Sequence, residues 1–192
     1  MRPNFESFPK IPRLRREVII TEKIDGTNAQ IVVTPEGEVF AGSRNRWITP
    51  EDDNYGFATW VKKNEEELRL GLGIGQHFGE WWGAGIGRKY DLSERRFSLF
   101  NTSLWKAGST LPAICRVVPV LAIGQFADDI IAKTLQGLKE TGSIAEPGYM
   151  KPEGIVVYMC ASQTMHKVLL EGDELPKGFK PKNEHDAEAA NV

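Results

Sequence analysis

The stretch ITEKIDGTNAQI, from Ile20 to Ile31, is the part of the sequence that decides the fold. Apolar residues precede it and resume at Ala29, which indicates two β-strands that meet as an interrupted hairpin. The connection is crowded with polar and charged residues, namely Glu22, Lys23, Asp25, Gly26 and Asn28. A single lysine at a strand edge normally serves solubility. A cluster of this kind between two hydrophobic strands also calls for a functional explanation.

Lys23, Asp25 and Gly26 form a Lys-x-Asp-Gly motif. A lysine amine attacks a carbon or phosphorus centre once it has lost its proton, and a nucleophile must be held in a fixed position. The junction of two strands provides that position, and the glycine lets the backbone pass close to a bound nucleotide. The motif predicts Lys23 as a nucleophile, with a solubilising edge lysine as the alternative.

The composition is ordinary for a globular protein. The chain has 192 residues, of which 41% are hydrophobic and 26% charged, with a net charge of −2 and a pI near 6.0. Because the overall charge is not positive, a nucleic-acid partner would have to be held by a local basic patch. The N-terminus lacks the features of a signal peptide, and no apolar run approaches the roughly 20 residues of a membrane span. With Cys115 and Cys160 read as free thiols, we expect a cytoplasmic protein.

Apolar periodicity predicts a chain dominated by strands, with two helices. One helix is expected from Tyr55 to Leu70 and another from Asp128 or Asp129 to about Lys139. No alternation of strands and helices occurs, so the pattern favours an α+β fold with antiparallel sheets. The folded domain is expected over residues 1–175 and a polar tail over 176–192. The predicted strands are Glu17–Glu22, Ala29–Thr34, Val39–Ser43, Gln76–Trp82, Arg96–Asn101, Arg116–Ile123, Gly154–Cys160 and His166–Glu171.

Charged residues recur at the ends or in the interior of these strands. Arg44 follows one strand, Glu80 lies inside an aromatic strand, Glu153 precedes an apolar strand and Lys167 begins another. An ordinary ion pair or solvation would explain any one of them. Taken together with Lys23, their opposite signs suit a pocket for a nucleotide phosphate and its magnesium ion.

Basic residues also flank the glycine-rich segment GAGIGR. Arg88, Lys89, Arg95 and Arg96 are candidates for contacts with nucleic-acid phosphates, and a solvated loop is an equally good explanation of them. The glycine-rich segment follows the wrong element for a dinucleotide-binding loop, so none is predicted there.

Six motifs occur in an order that resembles the covalent nucleotidyltransferases: EKIDGTN, SRNR, FGEWWGAGIGRKY, RRFSLFN, EGIVV and HKVLLE. The resemblance covers about Glu17 to Gly172 and is greatest to the RNA ligase branch, which includes the phage nick-sealing RNA ligases. It implies an ATP-grasp-like nucleotidyltransferase fold of two antiparallel sheets with flanking helices. Larger relatives continue into an OB barrel or a helical unit, and we expect no OB domain here because none fits after Gly172. The run Gly26-Thr27-Asn28 favours this branch, because the related DNA ligases tend to have an arginine here.

The resemblance implies ATP-dependent RNA ligation in three steps. Lys23 attacks the α-phosphate of ATP and displaces pyrophosphate, which gives a lysyl-AMP phosphoramidate. AMP passes to the 5′-phosphate of RNA, and a 3′-hydroxyl then attacks the activated end and releases AMP. The cofactors would be ATP and Mg²⁺ or Mn²⁺, the partner would be broken or nicked RNA, and no protein partner is implied. The alternatives are a GTP-using guanylyltransferase of the RNA-capping type and a non-catalytic module that binds nucleic-acid ends.

The resemblance also assigns roles to individual residues. Lys23 is the nucleophile, Lys167 grips the α-phosphate and Glu153 is the acid linked to the metal. In the last motif many relatives carry Lys-x-Lys, whereas this chain has Met165 at the first lysine's place. Glu80 would contact the ribose, and Phe97, which is close to Phe100 in the sequence, would stack on adenine. The complete set of expected nucleotide-binding residues is Glu22, Gly26, Asn28, Arg44, Glu80 and Phe97.

Overall fold

The computed structural model describes residues 4, 6–8, 11, 16–106 and 109–172, so the expected polar tail lies outside the described residues. Within them, the helices are α1 (Phe57–Lys63), α2 (Glu65–Leu72) and α3 (Asp128–Thr141), and a 3₁₀ turn covers Lys89–Asp91. The strands are β1 (Glu17–Lys23), β2 (Thr27–Val33), β3 (Val39–Ser43), β4 (Trp47–Ile48), β5 (Gly75–Gly83), β6 (Arg95–Leu99), β7 (Cys115–Val117), β8 (Val120–Gln125), β9 (Gly154–Met159) and β10 (Thr164–Leu169).

These strands form two separate sheets. The larger sheet has the order β4-β3-β2-β5-β6-β7, and the smaller has the order β10-β9-β1-β8. Neighbouring strands are antiparallel except for β6 and β7, which are parallel. Neither sheet is closed. The expected α+β fold of two antiparallel sheets with flanking helices is confirmed, with this one parallel pair as an addition.

The strands on either side of the Lys-x-Asp-Gly motif do not form a hairpin. β1 pairs with β8 and β9 in the smaller sheet, whereas β2 pairs with β3 and β5 in the larger one. The chain therefore leaves one sheet after Lys23 and enters the other at Thr27. The predicted hairpin is wrong because an apolar pattern indicates two buried strands without showing which strand each one pairs with.

A second crossing between the sheets divides the predicted strand Arg116–Ile123. Its first part is β7 of the larger sheet and its second part is β8 of the smaller one. Between them, the backbone N–H of Val118 donates to Leu99 O at 3.0 Å, and Pro119 O accepts from Glu22 N at 2.9 Å. Since proline has no N–H to donate to a sheet, it suits the point where the chain changes sheets.

The helix predicted from Tyr55 to Leu70 is divided into α1 and α2 at Asn64. The backbone of Asn64 departs from helical geometry, with φ −111° and ψ 19°, and its side-chain amide donates to Trp60 O at 2.7 Å. Asparagine favours such local bonds over continuation of a helix. Three glutamates then begin α2, where negative charge suits the N-terminus of a helix.

Helices cover one face of each sheet and leave the other face open. α1 and α2 bury Phe57 and Leu68 against the larger sheet, and α3 buries Leu138 against Ile20 and Ile155 of the smaller sheet. At the crossings a third cluster, made of Ile24, Trp82, Tyr90 and Val118, joins the two sheets. The open faces carry several of the charged residues singled out in the sequence, among them Lys23, Lys167 and Glu80. None of the helices in the described part of the chain has the length and apolarity that crossing a membrane requires.

Candidate nucleotide-binding site

Lys23, the last residue of β1, points to the open face of the smaller sheet. Its Nζ donates to Glu153 Oε2 at 2.6 Å, and the two side chains are 25% and 17% exposed. The register of β1 and β9 explains this pair, because Lys23 lies opposite Gly154, the residue after Glu153. The amine is thus held beside a carboxylate and largely shielded from bulk solvent.

Glu80 lies on the open face of the larger sheet, in the middle of β5. It is buried, and Asn28 Nδ2, from the opposite position on β2, donates to its Oε2 at 3.1 Å. Burial raises the pKa of Glu80 to about 7, although the positive charge of Lys23 and the bonds from Asn28 and the Gly26 N–H lower it; the negative charge of Glu153 raises it further. Glu80, Lys23 and Glu153 therefore act on one another electrostatically across the crossing.

Arg44 extends this group of side chains along the larger sheet. Its Nε donates to Asn28 Oδ1 at 2.8 Å, and the other end of the same amide donates to Glu80. Asn28 is thereby fixed in one orientation between a cation and an acid. The arginine itself is exposed, so its remaining N–H groups are free to meet an anionic ligand.

Gly26 is required by the close approach of β5. A Cβ atom at this position would lie 2.5 Å from Trp81 O, 2.7 Å from Trp82 Cβ and 3.0 Å from Glu80 Cγ. The absence of a side chain therefore lets the crossing segment lie against the strand that carries Glu80. A contact between Gly26 and a nucleotide stays a prediction.

Lys167 lies on the same face of the smaller sheet as Lys23. On β10 it is opposite Val156, which is in turn opposite Thr21, and Thr21 is two residues before Lys23 on β1. Residues opposite one another in an antiparallel sheet share a face, and so do residues two apart on a strand. Lys167 is exposed, as is Met165 on the same face. The sheet register thus brings the second predicted lysine to the cleft.

Glu22 points away from the cleft, to the face of β1 that α3 covers. Its buried carboxylate accepts a hydrogen bond from Ser143 Oγ at 2.6 Å and from the backbone N–H groups of Ile144 and Ala145 at 2.8 Å each. Burial raises the pKa of Glu22 and these three bonds lower it. The side chain fixes the segment after α3 to β1, and its position does not support the predicted contact with a nucleotide.

Phe97 is also on the wrong face for its predicted role. It is fully buried beneath α1, with ring centroids 5.2 Å from Phe57 and 6.1 Å from Trp60. Ser98, the next residue, lies opposite Glu80 on the open face, so Phe100, two positions later, extends to that face as well. The burial of Phe97 does not support its predicted role as the stacking aromatic, and Phe100, which is 36% exposed, is the aromatic residue of this segment that a ligand can reach.

Sequence reasoning missed the segment that fixes the crossing. Asp25 Oδ2 accepts from the backbone N–H of Arg88 at 3.0 Å, and the N–H of Asp25 donates to Tyr90 Oη at 2.8 Å. Lys89, Tyr90 and Asp91 all have φ between 52° and 62°, a conformation that residues other than glycine rarely adopt. Burial raises the pKa of the Tyr90 hydroxyl, which keeps it neutral. Asp25, as part of the Lys-x-Asp-Gly motif, is the one signal in the sequence that pointed to this segment.

The four basic residues proposed as a phosphate-binding stripe do not form one. Arg96 pairs with Glu94 and Glu146. Arg95 is on the opposite face of β6, where it donates to the carbonyl of Ala84. The guanidinium of Arg88 donates to the carbonyl of Lys151 and lies near Asp25. Since alternate residues of a strand face opposite ways, neighbouring arginines cannot share one surface.

The described residues include no group of three or more histidine, cysteine or acidic side chains able to enclose a metal ion. They do offer Glu153 and Glu80, two carboxylates near Lys23. Mg²⁺ and Mn²⁺ sites of nucleotide enzymes commonly use one or two carboxylates and take their other ligands from phosphate oxygens and water. The residues present fit an ion that arrives with a nucleotide.

The comparisons with known proteins identify the family. The sequence model of the RNA ligase family matches residues 16–169, most of the chain, so the chain belongs to this family. No curated protein matches it.

Solved structures with a similar fold include forms of Naegleria gruberi RNA ligase. An arginine-to-alanine mutant with ATP and Mn has a TM-score of 0.58 and 17% identity, covering 82% of this chain and 50% of that one. A glutamate-to-alanine mutant with ATP and Mn has a TM-score of 0.57 and 16% identity, with the same coverage. The form with PPi has a TM-score of 0.55 and 18% identity, covering 80% and 49%. At this identity the likeness shows the fold, and the chain spans about half the length of these structures.

Proposed function

We propose that this chain is an ATP-dependent RNA ligase that acts through a covalent lysyl-AMP intermediate. The single observation that carries the proposal is the position of Lys23, partly shielded at the crossing of two sheets and 2.6 Å from Glu153, with Glu80 close by. A lysine placed only for solubility would extend into water and would need no buried acid nearby. Membership of the RNA ligase family supports the same reaction, and Naegleria gruberi RNA ligase has been solved with ATP and Mn.

In the first step, Lys23 Nζ forms a bond to the α-phosphorus of ATP while the bond to pyrophosphate breaks. The amine must first be freed from Glu153 and lose its proton. A divalent ion bound at Glu153, when present, would supply positive charge to the phosphoryl oxygens. Lys167, on the same face, would supply further positive charge to the α-phosphate. Lys167, and an ion held by Glu153, would thus stabilise the negative charge that develops on the phosphoryl oxygens.

The nucleotide would lie against the larger sheet. Glu80 is placed to accept a hydrogen bond from a ribose hydroxyl, and Arg44 to contact a phosphate. Phe100 would offer its ring to the adenine in place of Phe97, because exposed aromatic rings stack on bases.

In the later steps an oxygen of an RNA 5′-phosphate attacks the α-phosphorus, and the N–P bond to Lys23 breaks. The 3′-hydroxyl of the other RNA end then attacks the activated 5′-phosphate and AMP leaves. All three steps take place at a phosphate bound in the nucleotide cleft, so the same charged residues would take part in each of them. Joining broken or nicked RNA is the outcome that we propose.

The test is mass spectrometry of the protein after incubation with ATP and Mg²⁺ or Mn²⁺. We expect one AMP adduct located on Lys23, and no adduct in Lys23→Ala or in Lys23→Arg, which keeps the charge and loses the nucleophile. An adduct from GTP alone would identify a capping-type guanylyltransferase instead. RNA-end binding with no adduct from either nucleotide would identify a non-catalytic module.

The role of Glu153 has its own test. We expect Glu153→Ala to slow adduct formation at least tenfold, equivalent to a barrier about 1.4 kcal/mol or more higher, because the metal loses its carboxylate. The rate would be measured over a range of Mg²⁺ and Mn²⁺ concentrations. Glu140→Ala, at the exposed end of α3, is the matched control and should leave the rate unchanged. An unchanged rate in Glu153→Ala would show that the metal role is wrong.

A further inference from the structure

The open face of the larger sheet carries exposed aromatic residues beyond the candidate nucleotide site. Phe40, Trp47 and Phe78 are 44%, 58% and 51% exposed, and together they are named the aromatic face; Phe100, proposed above to contact adenine, borders it. Monomeric proteins usually bury rings of this size, and an exposed group of them marks an interaction surface.

The sheet register places these rings next to the candidate nucleotide site. Glu80 is opposite Asn28 on one side and Ser98 on the other, which makes one row across the sheet. The next row, two residues along each strand and about 7 Å away, contains Trp47, Gly42, Gln30, Phe78 and Phe100. The row after that contains Phe40, Val32 and Gln76. The aromatic face is thus a continuation of the surface that would hold ATP.

The surface between the rings is flat and polar. Gln30 donates to Ser43 O at 3.2 Å and accepts from the Gln76 amide, so its side chain lies along the sheet. A Cβ on Gly42 would meet the Gln30 side chain at 2.7 Å, which explains why a glycine is found beneath it. Trp47 and Phe40 stand beside each other, with ring centroids 6.0 Å apart.

We propose that the aromatic face binds unpaired bases of the RNA strand next to the end being joined, by stacking. This inference rests on the proposed ligase function and specifies its substrate as RNA with unpaired bases near the joint. Neither aromatic row contains a carboxylate, and the exposed cation Arg44 lies at the border of the face, which suits a polyanion. Rings separated by amides and a glycine suit stacked bases better than the continuous apolar core of a protein interface.

The experiment measures binding of two fluorescent RNA probes to the complete 192-residue chain: a single strand of about 12 nucleotides, within the usual site size, and a blunt duplex of the same length. We expect the Phe40→Ala/Trp47→Ala double variant to bind the single strand about fivefold or more weakly. Its affinity for the duplex, whose bases are already stacked, should change less than twofold. Trp47→Phe alone should stay within about twofold of wild type on both probes, because it keeps an aromatic ring.

Leu70→Ala is the control, because Leu70 is an exposed apolar residue on α2, behind the larger sheet. It should change neither affinity. Unchanged single-strand binding in the double variant, or an equal loss on both probes, would overturn the inference. So would sedimentation data in which the wild type self-associates through this face and the double variant is monomeric with normal RNA affinity.

The adduct on Lys23 separates this inference from the ligase proposal. The double variant should form the adduct with ATP at the wild-type rate, since neither ring is assigned to the ATP site. Loss of the adduct in the double variant alone would overturn the inference, because the rings would then serve the nucleotide or the fold. Absence of the adduct in wild type would overturn the ligase proposal, and the RNA probes would still report whether the face binds unpaired bases.

Discussion

Two buried carboxylates, Glu22 on β1 and Glu80 on β5, lie in different surroundings. On the α3 side, the carboxylate of Glu22 accepts three short hydrogen bonds from Ser143 and the backbone that follows it. On the cleft side, Glu80 is also buried, and it accepts from Asn28 at 3.1 Å and from the Gly26 N–H, with Lys23 and Glu153 as charged neighbours. The first arrangement stabilises the fold, whereas the second keeps a buried acid with a raised pKa where a ligand would need it. Functional sites often lower stability in this way.

The largest difference between the two regions should be visible as a function of pH. Burial raises the pKa of Glu80 to about 7 from its ordinary 4.5, so the folded state holds this proton more tightly than the unfolded state. The stability that this proton contributes is present below pH 4.5 and is lost as the pH rises through 7. Glu80→Gln cannot ionise. Relative to wild type, the variant should therefore gain about 2–3 kcal/mol of unfolding free energy between about pH 5 and pH 8.

This prediction is checked by urea denaturation, followed by tryptophan fluorescence, across that pH range without nucleotide. Comparing the two proteins at each pH cancels the titration of groups they share. Glu140→Gln, which changes an exposed carboxylate on α3, serves as the control and should run parallel to wild type. A constant difference between Glu80→Gln and wild type would mean that Glu80 ionises normally in the fold.

A matching substitution of Glu22, on the α3 side, should lower the free energy of unfolding instead of raising it. Glu22→Gln replaces one acceptor oxygen with an N–H₂ group, so at least one of the donors from Ser143, Ile144 and Ala145 loses its acceptor. We expect the free energy of unfolding to fall by about 1–2 kcal/mol at neutral pH. Denaturation measures this loss, and the rate of adduct formation per folded molecule should change less than twofold. A large fall in that rate with unchanged stability would restore the predicted nucleotide role of Glu22.

Most strands were predictable because apolar alternation is a local property of the sequence. Val39–Ser43 was placed without error, and α3 begins at the predicted Asp128. The sheet that each strand joins was not predictable, because pairing is decided by contacts distant in sequence. The chain changes sheets at two places: around Gly26, where the sequence suggested a hairpin of two neighbouring strands, and around Pro119, where it suggested one continuous strand.

The candidate site divides in the same way. The motifs identified Lys23, Glu80, Glu153, Asn28 and Arg44, and the fold brings these together. The structure gives no support to two of the predicted nucleotide contacts: Glu22 is one residue from Lys23 and Phe97 is one from Ser98, so both point to the opposite face. Ser98 on β6 is opposite Glu80, so the residue two positions later, Phe100, shares the face of Glu80 and is the better candidate for stacking on adenine. The left-handed segment at Lys89–Asp91 was not predictable, because neither lysine nor tyrosine favours positive φ.

The smallest expected effect concerns the segment that connects the two regions. Tyr90→Phe removes the hydroxyl that accepts from the Asp25 N–H while keeping the ring packed against Trp82 and Tyr149. One unsatisfied donor should lower the free energy of unfolding by about 1 kcal/mol. Because Asp25 is two residues from Lys23, adduct formation should also slow a few-fold. Tyr55→Phe, which removes the hydroxyl of an exposed tyrosine, is the control for denaturation and for the adduct assay. Equal results for the two variants would show that the Tyr90 hydroxyl does not hold the crossing in place.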